Sequence, residues 1–213
     1  MELIVLHTTK VGETSMVLHT LSEAYGRRSF IVKGLGKKSV TALFLPMNII
    51  EAEVVESRKS SLWMIKNLSC ATALNGIRNS LYKNTITMFL SEVLFRAIKD
   101  GMNEDGLYSW CRSSIMLLDA LESDFSNFHL RFLLELTIAL GFSPKYEDLL
   151  PFVLGNRETL KSMMEASFAE SMLIPMSGST RNEMAEGLVR YIEYHSESSL
   201  NINSLKVLRE IFL

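Results

Sequence analysis

The hydrophobic pattern changes its period at Asn75 and Gly76, and that change constrains the fold more than any other feature. Before it, apolar and β-branched residues alternate in short runs bounded by turn residues, which is the signature of strands. The runs are Leu3 to Thr8, Ser15 to Leu21, Arg28 to Gly34, Asn48 to Glu56 and Ser61 to Ser69, with Gly12, Gly26 and the polar run Ser57 to Ser61 among the turns. After it, TITMFLSEVLFRAIKD places Ile86, Phe89, Leu90, Val93, Leu94 and Ile98 at helical spacing, with Gly101 as a C-terminal stop.

Further helices are expected from Leu107 to Leu121, from Asn127 to Leu140 with Ser126 as N-cap, and up to Tyr194 from a Thr180/Glu183 capping box. A last helix covers Ser204 to Leu213, and the segment GFSPKYEDLLPFVLGN between the third and fourth helices reads as looser chain. Five short strands with one long loop between the third and fourth fit a small barrel such as the OB-fold. The fold class is therefore α+β: a barrel over residues 1–76, then a helical part over 77–213 without a zinc site.

Composition narrows the function classes. With 47% hydrophobic and 22% charged residues the chain is globular rather than disordered. Its longest apolar stretch, Phe132 to Phe142, carries Glu135 and is shorter than the roughly 20 residues that span a bilayer. The acidic, early-alternating start does not read as a signal peptide, so the expected compartment is the cytoplasm. Cys70 and Cys111 stand far apart and exclude a disulfide framework or a four-cysteine zinc site.

GLGKKS at residues 34–39 invites comparison with a nucleotide-gripping loop, but Gly34 and Gly36 are only two apart, and Lys38 stands where that loop needs Ser or Thr. A strand rather than a helix follows, so no helix N-terminus waits for an anion. None of the four histidines has a second His or Cys at ligand spacing. Glu51 and Glu53 share a strand face that reads as solvated, and Ser177 lacks the context of a nucleophile elbow. No catalytic constellation, cofactor site or metal site emerges, and the expectation is a protein that is not an enzyme.

The cations are more coherent. Up to Ser80 ten basic residues face six acidic ones; beyond it, twelve face eighteen, although the net charge is only −2. Lys10, Arg27, Arg28, Lys33, Lys37 and Lys38 cluster in strand ends and turns that a small barrel can bring to one rim, where each would meet a phosphate. Tyr25, Phe30, Phe44 and Trp63 are available to stack on bases, though core filling is the stronger reading for Phe30, Phe44 and Trp63.

The run IVLHTTKVGETSMVLHTLSEAYGRRSFIVKGLGKKS resembles the start of the RecO family of bacterial recombination mediators, with its third strand ending in K-G before a basic loop. Leu45 and Pro46 match the family's L-x-P, and FLSEVLFRAIKDG, SIMLLDALE and FHLRFLLELTIALGFSP resemble its helices in order. Many members carry four zinc-binding cysteines after this point, whereas KYEDLLPFVLGN has none, so no zinc is expected. The chain also starts a few residues short of the usual opening, which implies a first strand that is slightly truncated or frays.

The resemblance implies an OB-fold that binds single- and double-stranded DNA, annealing of complementary strands, and partnership with RecR. It also implies help for RecA in replacing single-strand binding protein, whose acidic C-terminal tail docks on the helical part. A cation beside an apolar groove would receive that tail, and Arg112 and Arg131 are the candidates. The alternative is a protein-interaction adaptor whose OB-fold has only incidental DNA affinity, since the fold alone does not decide function.

Overall fold

The structure is a computed structural model and describes residues 1–34, 41–58, 60 and 62–211. Five strands, β1 (Glu2–Lys10), β2 (Ser15–Ser22), β3 (Gly26–Lys33), β4 (Ile49–Val55) and β5 (Trp63–Cys70), close into a barrel in the order β1-β2-β3-β5-β4. All neighbours pair antiparallel except β3 and β5, which run parallel through Phe30/Trp63 and Ile31/Met64. Alternate residues point inward, so Leu3, Val5, Leu18, Phe30, Val32, Ile50, Ala52 and Ile65 fill the interior together with Phe44 from the 3-10 turn Ala42–Phe44. The first strand is tied from its first residue rather than frayed, because the Met1 ammonium donates to the Ala52 carbonyl at 2.8 Å.

Nine helices follow among the described residues. They are α1 (Asn75–Arg78), α2 (Leu81–Ala97), α3 (Leu107–Ala120), α4 (Phe128–Ala139), α5 (Tyr146–Leu149), α6 (Arg157–Glu165), α7 (Phe168–Leu173), α8 (Gly178–Ser196) and α9 (Ser204–Ile211). Two expected caps move. α8 opens on Ser177, whose hydroxyl accepts from the Thr180 N–H, three residues before the expected start; Glu183 binds Ser179 and Asn156 instead. α4 opens on Asn127 rather than Ser126, and the Asn127 side chain ties the carbonyls of Ser171 and Ile174 to the Arg181 guanidinium. The looser segment contains α5, and α6 and α7 come after it. α7 is opened by a capping box, Ser167 with Glu170, that the sequence carries in plain view.

The apolar run Leu3 to Leu6 is buried on both faces of β1. Leu3 and Val5 face the barrel interior, while Ile4 and Leu6 join Leu21, Met47 and Ile49 in a cluster continuous with Ile86, Phe89, Leu90 and Val93 of α2. The boundary expected near residue 77 falls within α1, whose Arg78 donates to the Pro46 carbonyl at 2.7 Å and to Asn48 Oδ1.

β3 is fixed at its start by a second contact. The Arg27 N–H donates to the Met102 carbonyl at 2.9 Å, and the Gly101 N–H donates to the Arg27 carbonyl at 2.8 Å. Gly26, at φ +57°, sits so close that a Cβ there would lie 2.1 Å from the Met102 oxygen. Gly26→Ala is therefore expected to destabilise the protein by about 2 kcal/mol or more, read as a lowered midpoint in urea unfolding; an unchanged midpoint would show that this contact does not hold the seam.

Candidate nucleic-acid interface

The outer face of β1, β2 and β3 is half covered and half open, and this decides what each cation can do. Where the helices cover it, Arg27 is only 7% exposed. It forms an ion pair with Asp100, and its guanidinium lies 5.0 Å from the centroid of the Phe95 ring. Arg27 thus departs from the sequence expectation: it fastens β3 to the turn after α2 and offers no free charge to a phosphate. Arg28 alternates to the inward side with Phe30. Its guanidinium lies 3.5 Å from the centroid of Trp63 and 5.7 Å from that of Tyr25, a cation–π stack that closes the barrel's end. The Tyr25 hydroxyl donates to Glu56 at 3.1 Å. Arg28 is thereby half-buried, and its expected place on a phosphate-binding rim is taken by an aromatic contact.

At the opposite end the cations are open. Lys33 closes β3 opposite Ser15, and Lys10 closes β1 opposite Met16, so β2 lies between them and both are exposed. Two strand spacings of about 4.8 Å separate their backbones. Lys37 and Lys38 lie outside the described residues.

A groove of about 620 Å³ lies beside Lys33. It exists because β3 and β5 pair at only two positions, and the β4–β5 connection spans the gap that remains. Ile31, Met64 and Leu62 supply apolar surface; Lys33 and Arg58 supply charge, with Glu56, Ser57 and Ser60 beside them. Arg58 is exposed and makes no ion pair among the described residues. Sequence reasoning missed it by treating Ser57 to Ser61 as a turn and not asking which strand its one arginine faced. Of the aromatic candidates, Phe30 and Phe44 are core as expected, whereas Trp63 is only half-buried and serves as the platform for Arg28.

The two candidate tail-binding arginines differ. Arg112 Nε bonds Glu2 Oε2 at 2.8 Å, and the Tyr108 hydroxyl donates to the same carboxylate at 2.9 Å, so Arg112 secures β1 to α3. The Arg112 hydrogen bond holds the Glu2 carboxyl below its usual range. Arg131 pairs with Glu135 at 2.6 Å and donates to the Ala166 carbonyl at 2.9 Å. Only Arg131 borders an apolar hollow, lined by Leu134, Ile138, Pro144 and Met164, with Ile138 exposed at its lip.

Among the described residues no group of three or more His, Cys, Asp or Glu can hold a metal ion, and no helix is long and apolar enough to cross a membrane. Cys111 is buried, which pushes its thiol up to about 12 and makes it a poor nucleophile.

A closed five-stranded barrel of order 1-2-3-5-4 is an OB-type barrel, a class that receives oligonucleotides and oligosaccharides on one outer face. The model for the N-terminal part of recombination protein O matches residues 1–73, and that for its C-terminal part matches residues 78–149. The chain belongs to the RecO family. A protein named DNA repair protein RecO from Bacteroides fragilis is 35% identical over 148 residues, covering 68% of this chain and 61% of the relative. One from Phocaeicola vulgatus is 36% identical over the same span. The Flavobacterium psychrophilum protein of that name is 28% identical over 98% of this chain and 97% of its own length. The chain thus matches about three fifths of the length of the Bacteroides and Phocaeicola relatives.

The covered half of the face carries a pH-dependent contact. The rings of His7 and Phe95 stack at 4.5 Å, and His19 lies 4.8 Å from Phe95. His19 is hydrogen-bonded to Thr9 and Ser29. Burial, then the charges of Arg27 and His7, push His19 down to about 4, and burial also lowers His7. Both rings are neutral in the fold but protonate near 6.5 when unfolded. Their contribution to stability is therefore complete above about pH 6.5 and is lost as pH falls toward 4. Urea unfolding of His19→Gln across that window is expected to show a shallower fall than the parent; an identical fall would remove His19 from the account.

Proposed function

We propose that this chain is a non-enzymatic mediator of DNA repair and homologous recombination whose barrel binds DNA on its open outer face. The observation that carries the reading is the groove beside β3, where Lys33 and Arg58 stand exposed beside the apolar surface of Ile31 and Met64. Exposed cations bind phosphates by releasing counterions, and the apolar floor receives unpaired bases, so the surface suits single strands. Double-stranded DNA would be held through its phosphates by the same cations. Holding two single strands with bases accessible allows complementary strands to anneal with no bond made or broken, which requires no catalytic group.

Family membership supports the rest of the reading. The chain would act with RecR to help load RecA onto DNA coated by single-strand binding protein, in the cytoplasm at the nucleoid. The hollow beside Arg131 supports docking of the acidic tail of single-strand binding protein: Ile138, Pro144 and Met164 offer apolar surface, and the guanidinium lies at the rim. Glu135 already shares that guanidinium, so a tail carboxylate would compete with it. The adaptor reading separates on one assay, since an adaptor would not accelerate annealing of bare complementary oligonucleotides at moderate salt.

The log of the single-strand affinity should fall with log salt at a slope of about 0.7 per phosphate contact. Replacing Lys33, Lys37, Lys38 and Arg58 by Ala is expected to weaken binding and flatten that slope by about two to three units in a fluorescence anisotropy titration. Arg27→Ala, in contrast, is expected to lower thermal stability through loss of the Asp100 pair. A quadruple variant with the parental slope would contradict the placement of the site.

A further inference from the structure

A second groove, of about 340 Å³, lies where barrel and helices meet. One wall is Leu6 and His7 of β1, the floor is Met88, Phe95 and Arg96 of α2, and the far wall is Val207 of α9 with the residues that open that helix. Three observations point to what it takes.

The first concerns the rings. Phe95 is half-buried and His7 exposed, and with His19, 5.7 Å from His7 and 4.8 Å from Phe95, they form a three-ring cluster whose open side is His7. Flat rings partly open to solvent receive flat ligands by stacking. Second, the two charges in the groove, Glu92 and Arg96, are committed differently. Glu92, the acid that lines it, is engaged in opening α9: it accepts from the N–H groups of Asn203 and Ser204 at 3.2 and 2.8 Å and from the Ser204 hydroxyl. Arg96 is exposed, lies 5.7 Å from the Phe95 ring centroid and makes no ion pair among the described residues. Arg96 therefore stands exposed beside an aromatic ring, while the Glu92 carboxylate one turn away is turned to the start of α9.

The third observation is continuity. Ile31 at the first groove pairs with Val17, and two residues further along β2, toward the helices, His19 pairs with His7. A strand of nucleic acid crossing from β3 to β1 would travel two strand spacings, about 10 Å, with a shift of about 7 Å along the strands, and arrive at His7 beside Phe95. The volume also lies at the lower end of the roughly 300 to 1,000 Å³ of sites that hold small ligands, which suits one nucleoside.

We propose that this seam groove is a second nucleotide subsite, in which an unpaired base of a single strand stacks on Phe95 and His7 while its phosphate meets Arg96. The inference rests on the reading of the barrel face as a single-strand site. It adds that the strand leaves the barrel over β2 and β1 and ends against the helical part, so a single strand bridges the two.

The test is a length series of oligothymidylates titrated by anisotropy against the full chain and its Arg96→Ala and Phe95→Leu variants. Arg96 is at the surface, so its replacement is expected to leave the fold intact; Phe95→Leu keeps an apolar side chain in the seam and removes the ring on which His7 and His19 pack. Both variants are expected to match the parent on the shortest oligonucleotides that bind and to be about tenfold weaker on longer ones. Photocrosslinking of a long strand carrying 5-iodouracil is expected to mark the peptide around Phe95 in addition to β3. The subsite is overturned if Arg96→Ala binds long strands like the parent while the barrel groove still crosslinks. It is equally overturned if Arg96→Ala loses binding only to an acidic, leucine-rich peptide. If the parent binds no oligonucleotide at any length, the barrel reading fails and the subsite with it, and the two failures are thereby told apart.

Discussion

The wedge of β3 against the turn after α2 organises the molecule. Gly26 lets the backbone reach Met102, the Arg27 backbone bonds Met102 and Gly101, and the Arg27 side chain closes on Asp100 beneath Phe95. With that end fixed, α2 lies across β1 and β2, which is why Ile4 and Leu6 are buried on the outside of the barrel while Leu3 and Val5 are buried within it. The same wedge leaves the other end of the face open, at Val17, Ile31, Lys33 and Met64. An OB-type barrel alone would expose the whole face; this one exposes half and builds a seam from the remainder.

That division reassigns the charges. The basic excess before Ser80 reads as a nucleic-acid footprint, but several cations are committed to structure. Arg27 holds Asp100, Arg78 ties α1 to Pro46 and Asn48, Lys66 pairs with Glu53, and Arg28 lies on Trp63. In the helical part Lys83 donates to the carbonyls of Asp119 and Leu121, closing the end of α3. The described cations left open on the barrel's outer end are Lys10, Lys33 and Arg58, fewer than the count of charges implies, with Lys33 and Arg58 lining one groove and Lys10 two strands away. Local placement, more than net charge, carries the electrostatic argument.

Most strands and the long helices were legible because each buries a regular face, and the alternation from Ile50 to Glu53 or the spacing from Ile86 to Ile98 records that burial directly, whereas Leu3 to Leu6 is a continuous apolar run because both faces of β1 are covered. The short helices α5 and α7 were not legible, since four and six residues are too few to show a period, and the Ser167/Glu170 box was the signal available for α7; nine-residue α6 buries only Leu160 and Met163, too sparse a stripe to stand out. The caps at Ser177 and Asn127 escaped for a different reason: a helix start depends on which hydroxyl or amide is free, and Asn127 is occupied by carbonyls more than forty residues away. At the candidate site, Lys10 and Lys33 were readable as strand ends. Arg27 and Arg112 were not separable from them, because their partners, Asp100 and Glu2, are neighbours only in the fold.

The central claim is that the open outer end of the barrel, and not the helical surface, is where nucleic acid first binds. Amide hydrogen exchange with and without a single-stranded oligonucleotide tests it without any substitution. The account predicts slowed exchange in the second half of β3, in the β4–β5 connection around Arg58 and at the start of β5, with α4 and α8 unchanged. Protection confined to α4 and the hollow around Ile138, with none in β3, would contradict it.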